Sequence, residues 1–186
     1  MTLLAAKQPW HIAPFEARRA TELAKEVGVP PLITHLLLLR GLQTAADMRD
    51  FIKPSLRHLS NPFDLTDMQV AVNRIIKAKE RGEAVLVFGD YDVDGITASA
   101  ILARGLQRFG IRRVDCDMPS RFVEGYGITP DRVDEARERG FDLIITVDNG
   151  ISAHAAAARA RHIGLDMIIT DHHTLEATLP PAVAVI

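Results

Sequence analysis

Hydrophobic and polar positions follow two different rhythms along this chain. Up to about residue 82 the apolar residues recur at helical spacing and are punctuated by prolines and glycines. Ala17, Ala20, Leu23, Ala24 and Val27 form a helical stripe that stops at Gly28, which predicts a helix over 16–27. Pro30-Pro31 opens a second, strongly apolar helix that ends at Gly41, and Thr44 stands as the N-cap of a third that runs into Pro54. Thr66-Asp67-Met68-Gln69 has the form of a capping box. The helix it opens carries Met68, Val72, Ile75, Ile76 and Lys79 on one face and ends at Gly82.

From residue 84 the rhythm changes. Short apolar runs, Val85–Phe88, Val114–Met118, Leu143–Val147, Met167–Thr170 and Ala182–Ile186, alternate with helical segments at Thr97–Phe109, Thr129–Arg139 and Ser152–His162. A strand with one wet face alternates apolar with polar; an unbroken apolar run needs cover on both faces, which is the signature of a parallel sheet between helices. The expected fold is α/β, with a helical N-terminal region over 1–82 and a parallel sheet flanked by helices over 83–186. Pro180–Ile186 reads as a strand entering that sheet, so the chain reads as the front piece of a longer protein, its α/β domain incomplete at the C-terminal end.

Composition narrows the class. The 186 residues are 47% apolar and 25% charged, as in ordinary globular proteins, which excludes disordered and fibrous chains. The longest apolar candidate, Leu36–Leu39, is flanked by His35 and Arg40 and falls far short of the roughly 18 residues of a membrane helix. The Leu3–Ala6 patch is too short for a secretory signal. The single cysteine, Cys116, excludes an internal disulfide framework and a multi-cysteine zinc site and fits the cytoplasm. Its place in an apolar run predicts a core thiol. Twenty-two Lys+Arg against 24 Asp+Glu give a net charge of −2. Nucleic acid would therefore be held by a local patch or by metal ions, not by bulk positive charge.

Three of the apolar runs end in metal-ligand residues: Asp90-Tyr91-Asp92-Val93-Asp94-Gly95, Asp148-Asn149-Gly150 and Asp171-His172-His173. In an open parallel sheet the carboxyl ends of the strands share one edge, where ligands bind, so the three clusters are expected to converge. Any one aspartate after a strand could be a turn or N-cap residue. Three carboxylates within five residues repel one another unless a cation neutralises them. A carboxylate-rich set with imidazoles and no thiolate suits Mn²⁺ or Mg²⁺ better than zinc. Its size allows two ions about 4 Å apart, which points to phosphoester hydrolysis.

The strings GDYDVDGITAS, TVDNGIS and ITDHH resemble the first three motifs of the DHH phosphoesterase family, and specifically its RecJ-type branch of single-stranded-DNA exonucleases. Pro119–Gly127 resembles that branch's loop ending in Gly-Tyr-Gly, and Arg40-Gly41 and Pro54-Ser55-Leu56 resemble the segment before the first motif. The resemblance implies a 5′→3′ exonuclease of bacterial DNA repair and recombination, dependent on Mn²⁺ or Mg²⁺. Its implied partners are single-stranded DNA, single-strand-binding protein and other repair factors, with no membrane. It implies Asp90, Asp92, Asp94, Asp148 and His172 as metal ligands, with His173 and Asp171 in catalytic or supporting roles. Arg121 is expected at a phosphate, or else on the bare surface; Tyr126 is expected to stack on a base or to pack against the sheet edge. The family's fourth motif and second domain fall beyond Ile186, so the 186 residues alone are expected to hydrolyse DNA poorly.

Three rivals remain at this stage. A short-oligonucleotide phosphodiesterase of the same family would differ in substrate length. A non-catalytic scaffold would keep the fold and bind DNA or repair proteins. Asp90-Tyr91-Asp92-Val93 also fits a haloacid-dehalogenase-like phosphatase with Asp90 as nucleophile, a reading that leaves Asp171-His172-His173 without a role.

Overall fold

The computed structural model describes residues 13–120 and 125–186. It separates into two compact units, Met1–Ser60 and Asn61–Ile186.

The first unit is helical. α1 (Ala17–Val27), α2 (Pro31–Leu39) and α3 (Ala45–Ile52) stand where the apolar spacing places them. They close over Ala20, Leu37, Leu38 and Met48. α1 ends at Gly28 with φ 81°, the left-handed turn a side chain resists, and the Gly28 N–H returns to the Ala24 carbonyl. Thr44 caps α3, its hydroxyl accepting from the Asp47 N–H at 3.1 Å.

The second unit runs α4 (Met68–Arg81), β1 (Val85–Gly89), α5 (Val93–Phe109), β2 (Val114–Asp117), α6 (Pro130–Glu138), β3 (Leu143–Val147), α7 (His154–Ile163), β4 (Asp166–Thr170) and β5 (Ala184–Val185). The sheet order is β2-β1-β3-β4-β5 and every neighbouring pair is parallel. β1 and β3 are buried at every position. Alternate side chains feed two cores. Leu86, Phe88 and Ile144 meet Val133 and Ala136 of α6 and Ala156 and Ala160 of α7. Val85, Val87, Leu143 and Ile145 meet Ala71 and Ala78 of α4 and Ala103 and Leu106 of α5. Helices on both faces are what the unbroken apolar runs require.

The chain moves from β1 outward to β2 on one side and through β3, β4 and β5 on the other. The direction of winding therefore reverses between β1 and β3, and a crevice opens there at the carboxyl ends of the strands.

Four local expectations are corrected. α5 begins at Val93 and not at Thr97, because Asp92 caps it. The capping box does not form: Asp67 is the N-cap of α4 with φ 58°, and its carboxylate accepts from the Val185 N–H at 3.2 Å instead. α4 buries Ala71, Arg74 and Ala78, leaving Ile76 exposed, since small residues let the helix lie close to the sheet. Cys116 is exposed on β2, an edge strand with a neighbour on one side only. Among the described residues, no helix is long and apolar enough to cross a membrane.

Candidate metal centre

The site is assembled from the ends of β1, β3 and β4. After β1 the chain turns at Asp90 and enters α5 almost at once. Gly95, in the first turn of α5, lies so close to the preceding loop that a Cβ there would sit 2.4 Å from the Asp90 carbonyl oxygen and 2.5 Å from its nitrogen. Only glycine fits, and the close approach fixes Asp90 beneath the helix start. Asp90 is 4% exposed, and its Oδ1 is buried with no hydrogen-bond partner among the described residues. Asp92 Oδ1 accepts from the Asp94 and Gly95 N–H groups at 2.9 and 3.0 Å. These bonds, the one from Gly95 foremost, hold the Asp92 carboxyl below its ordinary range.

At the end of β3, Asp148 adopts φ 63°, a backbone conformation uncommon outside glycine. Its N–H bonds the Thr170 carbonyl at 3.0 Å, tying the ends of β3 and β4 together. The next residue, Asn149, is fully buried, and its amide donates to the Phe88 and Val147 carbonyls at 3.1 and 3.0 Å. Asn149 thus clamps β1 to β3 directly beneath Asp90 and Asp148. The Asp148 carboxyl is pushed up by burial and then by the neighbouring Asp92 carboxylate, against the pull of His172.

After β4, Asp171 turns its carboxylate inward. Oδ2 accepts from the Ile151 N–H at 2.9 Å, while Oδ1 takes the His173 N–H at 3.1 Å and lies 2.7 Å from His173 Nδ1. Burial pushes this carboxyl up, but the bonds from Ile151 and His173 outweigh it and leave it below its ordinary range. The same Asp171 bond, against some desolvation, raises His173. His172 projects outward, with Nε2 2.9 Å from Asp148 Oδ1.

The side-chain ligand atoms fall into two overlapping sets, each within 4.8 Å: Asp90, Asp92 and Asp148, and Asp148, His172 and His173. Asp148 is shared. Asp171 lies outside both sets. So does Asp94, which sits in the first turn of α5 and lines a cavity of about 500 Å³ with Asp148, Asp171 and His172. Tyr126 reaches in from the loop after β2, its hydroxyl donating to the Asp148 carbonyl at 3.1 Å. Arg121 lies outside the described residues. Sequence reasoning missed Asn149, which reads locally as an ordinary turn residue; a buried amide reaching back to another strand leaves no local mark.

Fold and site together define a doubly covered parallel α/β domain with a carboxylate- and imidazole-rich centre at the crevice where the sheet's winding reverses. Residues 84–186 match the DHH family, N-terminal domain, and the chain belongs to that family. It is 38% identical over 184 residues to the single-stranded-DNA-specific exonuclease RecJ of Bacillus subtilis, covering 99% of this chain and 23% of the relative. To the Escherichia coli protein of the same name it is 37% identical over 181 residues, covering 97% and 30%. A crystal structure of RecJ in complex with Mn²⁺ from Thermus thermophilus matches 90% of this chain and 23% of that one, with TM-score 0.69 and 30% identity. A crystal structure of exonuclease RecJ bound to manganese matches 62% and 29%, with TM-score 0.57 and 40% identity. The chain thus spans 23% and 30% of the length of these two exonucleases.

Proposed function

We propose that this chain is the metal-binding portion of a single-stranded-DNA-specific 5′→3′ exonuclease of DNA repair and recombination, acting in the cytoplasm with two Mn²⁺ or Mg²⁺ ions. The observation that carries the reading is the convergence of Asp90, Asp92, Asp148, His172 and His173 at the carboxyl ends of three strands. No arginine or lysine pairs with those carboxylates among the described residues, and Asp90 keeps a buried oxygen without a partner. Carboxylates packed in this way fit hard or borderline divalent cations.

Asp90, Asp92 and Asp148 would hold one ion, and Asp148 with His172 the other. Asp94 is assigned to the same centre from the cavity side. Bound there, the ions supply Lewis-acid polarisation of the scissile phosphate and an activated water. The chain's own part is orientation. Asp92 spends one oxygen on the α5 cap and keeps the other for the ion. Asp171 fixes His173, whose raised proton affinity suits it to a phosphate oxygen of the scissile group. Arg121 is assigned to the DNA phosphates and Tyr126 to the margin of the DNA path. Single-strand-binding protein and other repair factors are the proposed protein partners.

Mn²⁺ titration of the chain, followed by electron paramagnetic resonance, tests the centre. The expected result is binding that Asp148→Ala weakens by roughly 100-fold or more. A chain that binds no divalent ion overturns the proposal. Release of nucleotides from a 5′-labelled single-stranded oligonucleotide tests the reaction. It is expected to be slow for these 186 residues, which span 23% and 30% of the length of the two relatives, and to be abolished in Asp148→Ala.

A further inference from the structure

Three segments far apart in sequence meet at one phenol. The Tyr126 hydroxyl donates to the main-chain carbonyl of Asp148 at 3.1 Å and lies 3.2 Å from His173 Nδ1. A phenol has one proton, and that proton is spent on the carbonyl. The contact with His173 therefore runs the other way, with Nδ1–H donating to the phenol oxygen. The same Nδ1–H faces Asp171 Oδ1 at 2.7 Å. Two acceptors on Nδ1 leave Nε2 as the nitrogen available to an ion or a phosphate.

We infer that Tyr126 is a positioning residue, whose hydroxyl holds the His173 imidazole and the left-handed Asp148 peptide in one fixed arrangement. His173 is half exposed, at 48%, so packing alone does not hold it. Its ring is bonded to Asp171 at Nδ1 and lies against the exposed His172 ring, with centroids 4.8 Å apart, so its hold on one side depends on a neighbour that is itself exposed. The Tyr126 hydroxyl at 3.2 Å supplies the further restraint, and the two rings meet at a steep angle, with centroids 5.7 Å apart and planes at 76°. Asp148 gains equally. Its φ of 63° turns its carbonyl towards the loop after β2, and the phenol is the donor that meets it there. The relevance of Tyr126 to hydrolysis rests on the function proposed above; the restraint on His173 does not.

Tyr126→Phe tests this, because it keeps the ring and removes only the hydroxyl. In the metal-free chain, three-bond couplings of His173 are expected to report one side-chain rotamer in the wild type and averaging over several in Tyr126→Phe. The Mn²⁺ dissociation constant is expected to rise about threefold to tenfold, the scale of one net hydrogen bond. Circular dichroism checks that the variant is folded, and Tyr126→Ala provides the comparison without the ring. The rotamer readout decides: a single His173 rotamer retained in Tyr126→Phe overturns the inference. Oligonucleotide affinity lost in Tyr126→Ala but intact in Tyr126→Phe, with His173 unchanged in both, would make Tyr126 a base platform instead. A wild-type chain that binds no Mn²⁺ while His173 loosens in Tyr126→Phe would overturn the proposed function and leave the positioning role standing.

Discussion

The two ends of the same sheet treat charge in opposite ways. At the amino end, Arg74 is buried and reaches Glu83 at 2.6 Å and Asp166 at 2.5 Å, with the Asp142 carbonyl also within its reach at 3.5 Å. Asp142 in turn accepts from the Ala84 N–H at 3.1 Å and lies 3.6 Å from Arg137. Acid and base are matched there. At the carboxyl end Asp90, Asp92, Asp148 and Asp171 gather with no arginine or lysine paired to them among the described residues, and the ion-pairing groups beside them are His172 and His173. Asp92 and Asp171 are met by N–H groups and by His173, but burying the Asp90 carboxylate, which keeps an oxygen without a partner among the described residues, costs stability. The amino end spends its charge on holding strands and α4 together, whereas the carboxyl end leaves its carboxylates without a basic side chain among the described residues, as the proposed metal site requires.

The comparison can be broken most decisively at Asp148. Asp148→Asn is expected to weaken Mn²⁺ binding by roughly 100-fold while raising the stability of the metal-free chain by about 0.5–1 kcal/mol, since the fold disfavours its ionised form. Urea denaturation with and without chelator reads both effects. Mn²⁺ should raise the melting temperature of the wild type and not of the variant. A variant less stable than the metal-free wild type would erase the contrast between the two ends.

Arg74→Ala is the converse test. It removes the buried partner of Glu83 and Asp166 and leaves Glu83 with Arg81 at 3.7 Å, and the expected loss is about 3 kcal/mol with Mn²⁺ affinity unchanged. Asn149→Ala sharpens the comparison at the point where architecture and site touch. Two strand-end carbonyls lose their donor, so a loss of about 2 kcal/mol is expected, accompanied by weaker Mn²⁺ binding.

The smallest effect concerns pH. Asp171 is held below its ordinary value of 3.8, so its contribution is present above that pH and is lost as pH falls through the lower folded value. His173 is held above its ordinary 6.5, so its contribution is full below 6.5 and is lost as pH rises through the higher folded value. The metal-free pair is therefore most stabilising between these two limits. Asp171→Asn should flatten both limbs of a melting curve against pH by about 1–2 °C, the screened scale of an exposed imidazole.

Much of the α/β unit is legible in local pattern. The unbroken runs Val85–Phe88 and Leu143–Val147 announce strands buried on both faces, and both became central strands. Val114–Met118 contains Asp115 and Asp117, and it became the edge. Gly28 and Thr44 mark helix ends correctly because a cap is decided within a few residues. Thr66–Gln69 misleads for the opposite reason: Asp67 is claimed by Val185, 118 residues away. Asp92, Asp94 and their neighbours look equivalent in sequence. Capping by Asp92 starts α5 at Val93 and turns Asp94 out of both ligand sets.

Residue types and their periodicity were enough to establish a parallel sheet covered by helices, with acids and imidazoles after three of its strands. They suffice because apolar burial and capping are local preferences that each residue carries with it. The partners of those acids are another matter. Asn149 meets Phe88 across 61 residues, Tyr126 meets His173 across 47, and Asp148 joins two ligand sets at once. Such meetings depend on strand order, on the close packing of Gly95 over Asp90 and on the left-handed turn at Asp148. Each arises when the sheet closes and has no counterpart in the unfolded chain.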